Sequence, residues 1–345
     1  MNDLLAVDTE TTGLTFFDDA FGVSTFDGDG EGGWFELPDE SEPVTTLIGA
    51  GPSTDGHGHT DRGRESVPEP LERPLVFHNA KFDLSKLVRA GVLPRRKRAI
   101  HDTEALAHLL DEHQPKKLKV LARKYLGVET DEETELKAYC RKKSNGINVK
   151  IDGYRHVPRE ILVPYALKDA EYTYRLFHVL YPQVARYEDL LGLYRMEMDL
   201  TWALLEMEFD GLGVNEEYVR DKIKEYSRLI LETEWKIEDT TGLKVWYPPK
   251  AGVKTPEGHF NPNSNPQITE FFKAEGIDRD SYNKATLVEL GHPLGLALIE
   301  LRRLKKIRDT YLTAMLEESR DGVLHPHTRQ HGTVTGRMSS GKAED

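Results

Sequence analysis

The sequence predicts an α/β fold, a mixed sheet flanked by helices, followed by a mainly α-helical region. Three observations carry this expectation. Short apolar runs bounded by Gly, Asp and Pro come first and read as strands. From about residue 73 to 185 strand-like runs alternate with stretches whose apolar residues recur every three or four positions, as in a sheet with helices on its faces. Beyond about residue 186 long helical segments take over.

The elements follow in order. The run LLAVD (4–8) reads as a buried strand, and residues 20–37 as two strands joined by a Gly/Asp turn. Residues 49–74, rich in Gly, Pro and Ser, predict a long surface loop. RPLVFHN (73–79) returns as a strand, and a helix from about 81 to 90 is stopped by Gly91. RAIHDT (98–103) is a short strand whose Asp102 caps the helix TEALAHLLDEH. KKLKVLARKYLG (116–127) predicts a helix, and a longer one runs from about 158 to 185 with Pro158 near its start. Segments 188–209 and 215–240 carry helical spacing. In NSNPQITEFFKAEG, Asn265 is placed as N-cap, Pro266 as first helical residue and Gly276 as the stop. A further helix covers about 293–318, and the alternating tail that follows predicts β structure with Thr333, Thr335 and Arg337 on one strand. No internal repeat is present.

Length and composition bound the function. A chain of 345 residues has room for about two or three domains. No apolar run is long enough for a membrane span, and the acidic start MNDLLAVDTE is unlike a secretory signal. The lone Cys140 permits no internal disulfide and fits a reducing, cytoplasmic setting. The net charge of −13 speaks against a generally basic nucleic-acid coat, but the distribution matters more than the sum. No Lys or Arg precedes Arg62, whereas RRLKKIR (302–308) holds five basic residues in seven. An acidic body with local basic elements suits an enzyme that grips a polyanion at chosen places and holds metal ions elsewhere.

The acidic residues form a pattern. Asp8 and Glu10 are two apart on a strand and share a face, with Thr9 pointing to the opposite one, toward packing. Asn79 ends a strand, and Asp83 follows one turn into a helix. Tyr165 and Asp169 are four apart on one helix face. Each piece alone has a plainer reading: a turn, a first-turn acid facing the helix dipole, or an ordinary helix face. Together they predict a cluster of four carboxylates, Asp8, Glu10, Asp83 and Asp169. Such a cluster repels itself unless cations neutralise it, and two Mg²⁺ or Mn²⁺ ions suit an oxygen-only donor set. Two such ions activate a water and stabilise the leaving oxygen in phosphodiester cleavage, with Tyr165 placed to orient the water. Asp102 is left out of the set as a helix cap.

The stretches VDTETTGL, HNAKFDLSKL and YALKDAEYTY resemble the three exonuclease motifs of the DEDD superfamily, which has a ribonuclease H-like fold. The Tyr-x-x-x-Asp spacing is similar to that of its tyrosine subclass, found in proofreading domains of DNA polymerases. Carried over position by position, the resemblance implies metal ligands at Asp8, Glu10, Asp83 and Asp169. It implies a water-positioning Tyr165 and contacts to the 3′-terminal nucleotide from Leu14 and Asn79. The second half resembles the family A DNA polymerases of the bacterial and phage polymerase I type. LYRMEMDLTWALLEMEFDGLGVN (193–215) resembles the start of the polymerase domain, FNPNSNPQITEFF and LRRLKKIRDTYLTAM its thumb, and HPHTRQHGTVTGRMSS the first part of its palm.

The expected organisation is therefore an exonuclease domain over 1–186, a helical thumb region over 187–324 and a truncated palm segment over 325–345. Arg302, Lys305, Lys306 and Arg308 are placed to track phosphates, and Thr335 and Arg337 to contact DNA near a primer end. The implied partners are the single-stranded 3′ end and primer–template duplex, and no membrane. The family's palm aspartates and finger lysine do not occur before Asp345, and no 5′-nuclease domain precedes Leu4. The expectation is a chain without polymerase activity of its own: an excised piece, a split polymerase whose palm and fingers lie on a separate chain, or a truncated reading frame. His325, His327 and His331 lack cysteines and paired helical spacing, so zinc is not expected there. The rival readings are an RNA 3′ exonuclease of the ribonuclease D type and a non-catalytic DNA-binding module.

Overall fold

Strand Leu5–Thr11 (β1) lies at the centre of the first compact unit. The computed structural model of the chain describes residues 4–28, 30, 32–37, 71, 73–142, 146–149, 153–250 and 253–341. Strands Ala20–Phe26 (β2) and Gly33–Glu36 (β3) continue antiparallel on one side of β1; Leu75–Phe77 (β4) and Ile100–Asp102 (β5) continue parallel on the other. The sheet order β3-β2-β1-β4-β5 is thus the expected mixed sheet. Its parallel half reads as unbroken apolar runs because both faces are covered: Leu75, Val76 and Phe77 are all fully buried. The predicted loop 49–74 lies outside the described residues except at 71, 73 and 74.

Helix Ala80–Arg89 (α1) leaves β4 through Asn79, whose left-handed backbone (φ 71°) is a conformation that asparagine tolerates. Helix Thr103–Leu110 (α2) follows β5, with the Asp102 carboxylate accepting from the Glu104 and Ala105 amides at 2.8 and 3.4 Å. The same carboxylate accepts from the amides of Asn79 and Ala80 at 3.0 and 2.7 Å, so one side chain pins the starts of two helices together. Leu118–Leu126 (α3) ends on Gly127 in the left-handed region. The next helix, Asp131–Arg141 (α4), is absent from the sequence reading. It is highly charged and buries only Leu136, so it carries almost no apolar periodicity to read. Arg159–Val184 (α5) spans the sheet and buries Ala166, Ala170, Leu176, Phe177 and Leu180.

Helix Glu188–Asp210 (α6) belongs to this same unit, which takes in the residues up to Gly211 and those from His325 onward. Division at residue 186 was expected from the change in periodicity. The reason for the difference is burial: Tyr194, Met198, Trp202 and Leu205 of α6 enter the core built by the sheet. Tyr194 Oη accepts from the Asp102 amide at 3.0 Å, and Trp202 Nε1 donates to the Arg98 carbonyl at 3.1 Å.

The second unit comprises residues 212–324. Helix Glu216–Thr241 is capped by Asn215 and packs on Pro293–Lys305 around Ile230, Ile237, Phe260, Phe272, Leu298 and Leu301. Helix Asn265–Ala274 is capped by Ser264, whose side chain accepts from the Gln267 amide, rather than by Asn265; Asn265 and Pro266 both lie inside the first turn. The predicted helix over 293–318 is continuous in extent, but Lys306–Thr313 is wound as a π-helix.

The tail holds two short strands, His327–Arg329 and Ser339–Gly341. Thr333, Thr335 and Arg337 do not lie on a strand. They belong to a turn closed by the Thr333 hydroxyl donating to the Arg337 carbonyl at 2.7 Å, with Gly336 at φ 69°. Alternating polar residues with two glycines nearby satisfy a turn as well as a strand.

Candidate active site

Asp8 and Glu10 leave the same face of β1, opposite Ser24 and Gly22 of β2. Asp83 comes from the first turn of α1, and Tyr165 and Asp169 from one face of α5. Glu10, Asp83 and Asp169 are buried, and Asp8 is half-buried. The charges of the other three act on Asp8. Burial first, then the charges of Asp83, Asp169 and Glu10, push the Asp8 carboxyl well above the ordinary carboxylate range. Burial and Asp169 do the same to Glu10. Burial raises Asp83 to about 7 and Asp169 to about 6. The Tyr165 phenol is pushed up by burial and then by Asp169, Glu10 and Asp8, so it stays protonated as a hydrogen-bonding group and does not serve as a base.

Two residues outside the sequence-predicted set hold the cluster. Thr9 does not merely pack: its amide and hydroxyl donate to Asp83 Oδ1 at 3.0 and 2.7 Å. Strand alternation predicts Thr9 on the face opposite Asp8 and Glu10, and α1 brings Asp83 round to meet it. Thr9→Val keeps the backbone bond and removes the hydroxyl. The expected result is a roughly ten- to hundredfold loss in metal affinity or turnover with the fold retained. Melting curves and metal titration check this; parental values on both counts refute it.

Lys119 of α3 is the second. Its ammonium pairs with Asp169 and with Glu132 Oε1, at 3.0 Å for the latter, and is buried. Burial alone would lower its pKa, yet Asp169 and Glu132 hold it above the usual lysine range. The one sequence signal is position: Lys119 falls three residues before the buried Ala122 and so shares the inward face of α3.

The predicted contacts to a 3′ end fall on the surface. Leu14 is exposed after β1, on a segment held by Lys86 Nζ donating to the carbonyls of Thr15 and Asp18 at 2.5 and 2.7 Å. Asn79 is exposed at the start of α1. The basic set is divided between the two units, with Arg302, Lys305, Lys306 and Arg308 in the second and Thr335 and Arg337 in the first. Arg302 and Lys306 are exposed. Lys305 lies 3.6 Å from Glu234 and 3.3 Å from the centre of the Tyr247 ring, and Arg308 donates to Asp309. His325, His327 and His331 go to separate partners, the Glu208 carbonyl, Lys81 and Glu197.

A donor set of four clustered carboxyls with raised pKa values, countered by one lysine, fits hard divalent cations, which supply the missing positive charge. As the side chains stand, with Asp83 turned to Thr9 and Asp169 to Lys119, no three His, Cys, Asp or Glu among the described residues are arranged to hold an ion. A pH effect follows. Asp83 and Asp169 bind protons near 7 and 6 when folded, against an ordinary 3.8. The folded chain then holds the extra protons, and stability falls as pH rises through those values. Metal-free Tm is expected to drop between about pH 4 and about pH 7, less so in Asp83→Asn, and Mn²⁺ should raise Tm more at the upper pH. The same drop in both proteins would argue against the cluster as its source.

The chain is similar to several known proteins. Residues 66–185 match a family model described as 3′-5′ exonuclease, of the DNA polymerase A group. The match takes in Asn79, Asp83, Tyr165 and Asp169, while Asp8, Glu10 and Leu14 precede it. The chain is 27% identical to DNA polymerase DpoZ of Salmonella phage PMBT28, over 98% of this chain and 52% of that protein. It is 29% identical to DNA polymerase I of Chloroflexus aurantiacus, over 78% of this chain and 28% of that one. To the DNA polymerase of Escherichia phage T5 it is also 29% identical, over 80% and 34%. The chain thus spans about half or less of these relatives. A solved structure, the POL domain of Pol1 from M. smegmatis in complex with DNA primer-template and dNTP, has a similar fold. Its TM-score is 0.65 at 20% identity, with 97% of this chain and 50% of that one covered. The exonuclease domains of this family are generally dependent on divalent metal. Among the described residues, no helix is long and apolar enough to cross a membrane.

Proposed function

We propose, from the match of residues 66–185 to a 3′-5′ exonuclease model of the DNA polymerase A group, that the chain hydrolyses DNA from its 3′ ends with two Mg²⁺ or Mn²⁺ ions. What supports the reading is that Asp8, on a strand, feels the charges of Glu10 beside it and of Asp83 and Asp169 from two helices, and that Glu10 feels those of Asp169 and Asp83. These four carboxylates hold the ions. Bound there, the ions would supply an activated water and stabilise the leaving 3′ oxygen.

The protein's own groups do the rest. Tyr165, protonated and one turn from Asp169, donates or accepts a hydrogen bond that orients the water. Thr9 fixes Asp83. Leu14 and Asn79, exposed after β1 and at the start of α1, hold the terminal nucleotide. Residues 1–186 are read as the exonuclease domain, 187–324 as a thumb region whose first helix, α6, packs in the first unit, and 325–345 as the first part of a palm. Arg302, Lys305, Lys306 and Arg308 meet the phosphates of a primer–template duplex, with Thr335 and Arg337 near the primer end. The names of the relatives, all DNA polymerases, support this reading over an RNA exonuclease.

The test uses single-stranded DNA and RNA of the same sequence, 5′-labelled, with Mn²⁺ or Mg²⁺. The expected result is a ladder shortening from the 3′ end of DNA and release of nucleoside monophosphates. Preference for RNA favours the ribonuclease D reading, and no release with either favours a binding module.

A further inference from the structure

The exonuclease reading, on which this inference rests, assigns no chemistry to the buried Lys119 beside Asp169. The Lys119 ammonium pairs with Asp169 and, at 3.0 Å, with Glu132. It also lies 4.5 Å from the centre of the Tyr165 ring and 5.0 Å from that of Tyr172. Tyr165, Asp169 and Tyr172 follow one another at spacings of four and three along α5, so they form one helix face. The ammonium is seated on the face that carries two of the proposed catalytic groups, within reach of two aromatic rings and a carboxylate. Lys119 is only 7% exposed, and a charge so buried is retained only with partners of this kind.

We propose that Lys119 is a positioning residue of the carboxylate site: it holds Asp169 and Tyr165 on their shared helix face and is a built-in cation with which an incoming divalent ion must share Asp169. Two consequences of opposite sign follow from its removal. Asp169 and Tyr165 lose their anchor, so turnover falls. A positive charge disappears from beside the ligands of the ions, so a divalent ion binds more tightly. A lysine that merely supported the fold would lower both quantities when lost.

The experiment measures Mn²⁺ binding to the full chain by calorimetry without DNA, together with kcat and KM on single-stranded DNA. Lys119→Met keeps the apolar stem and is expected to bind Mn²⁺ roughly tenfold more tightly. Its kcat should fall by about ten- to a hundredfold with KM little changed. Lys119→Arg keeps the charge and should hold Mn²⁺ affinity within about threefold of the parent. Glu132→Gln leaves the ammonium to Asp169 alone and should weaken Mn²⁺ binding, which reads the sign even if Lys119→Met does not fold. Unchanged or weaker Mn²⁺ binding in folded Lys119→Met, or unchanged binding in Glu132→Gln, overturns the proposal while 3′ cleavage by the parent upholds the exonuclease reading. A parent chain that neither binds Mn²⁺ nor shortens DNA overturns both.

Discussion

Asp8→Ala and Asp169→Ala are each expected to cut degradation of single-stranded DNA by roughly four orders of magnitude, the scale on which essential groups of an active site are lost. DNA affinity measured without metal should stay close to that of the parent, because neither carboxylate attracts a polyanion. The two variants should differ in stability, and the difference has a physical origin. Asp8 is pressed by burial and by three like charges, so Asp8→Ala relieves repulsion and should leave Tm unchanged or raise it. Asp169 is the partner of buried Lys119, so Asp169→Ala leaves that ammonium with Glu132 alone and should lower Tm. Full cleavage in either variant would sink the site assignment. Loss of cleavage accompanied by unfolding in Asp8→Ala would remove its support.

The second large effect concerns a buried ion pair next to the site. Lys81 stands two residues before Asp83 on α1, and its ammonium pairs with Glu208 of α6; both side chains are almost fully buried. Glu208 also accepts from the Thr328 amide at 2.6 Å, which ties strand His327–Arg329 to the same point. The His327 ring lies 3.5 Å from the ammonium, and burial followed by Lys81 lowers its pKa to about 4. Removing one partner of such a pair strands the other charge in low dielectric. Glu208→Ala is therefore expected to cost about 3–5 kcal/mol in denaturant unfolding, a fall in Tm on the order of 10 °C for a unit of this size. The double replacement Lys81→Met with Glu208→Leu should recover most of that loss, because apolar groups of similar volume replace both charges. A cost below about 1 kcal/mol for Glu208→Ala, the range of exposed pairs, would show that the pair is solvated.

Much of the first unit was legible because its elements announce themselves locally. The apolar run before Asp8, the Gly/Asp turn between β2 and β3, Gly91 after α1 and Asp102 before α2 are all short-range signals, and each falls within a residue or two of its observed place. The acidic motifs were legible for the same reason, since Asp8 and Glu10, and Tyr165 and Asp169, are pairs whose spacing matches the period of their own element. Helix α4 was not, because it is solvated on nearly every side and needs no apolar stripe. Nor was the cap of Asn265–Ala274, where Ser264 and Asn265 are both good caps and only the backbone decides between them.

The sequence by itself determined which residues could carry the chemistry: four carboxylates and a tyrosine on a strand end and two helices. Only the tertiary structure decided what stands against them. Thr9 meets Asp83 across 74 positions of chain, Lys119 reaches Asp169 from another helix, and α6 joins the first core although its periodicity resembles the helices after it. Local periodicity records the face a side chain leaves from. It carries nothing about which distant element will cover that face, and that depends on how the packed layers bury their apolar area together.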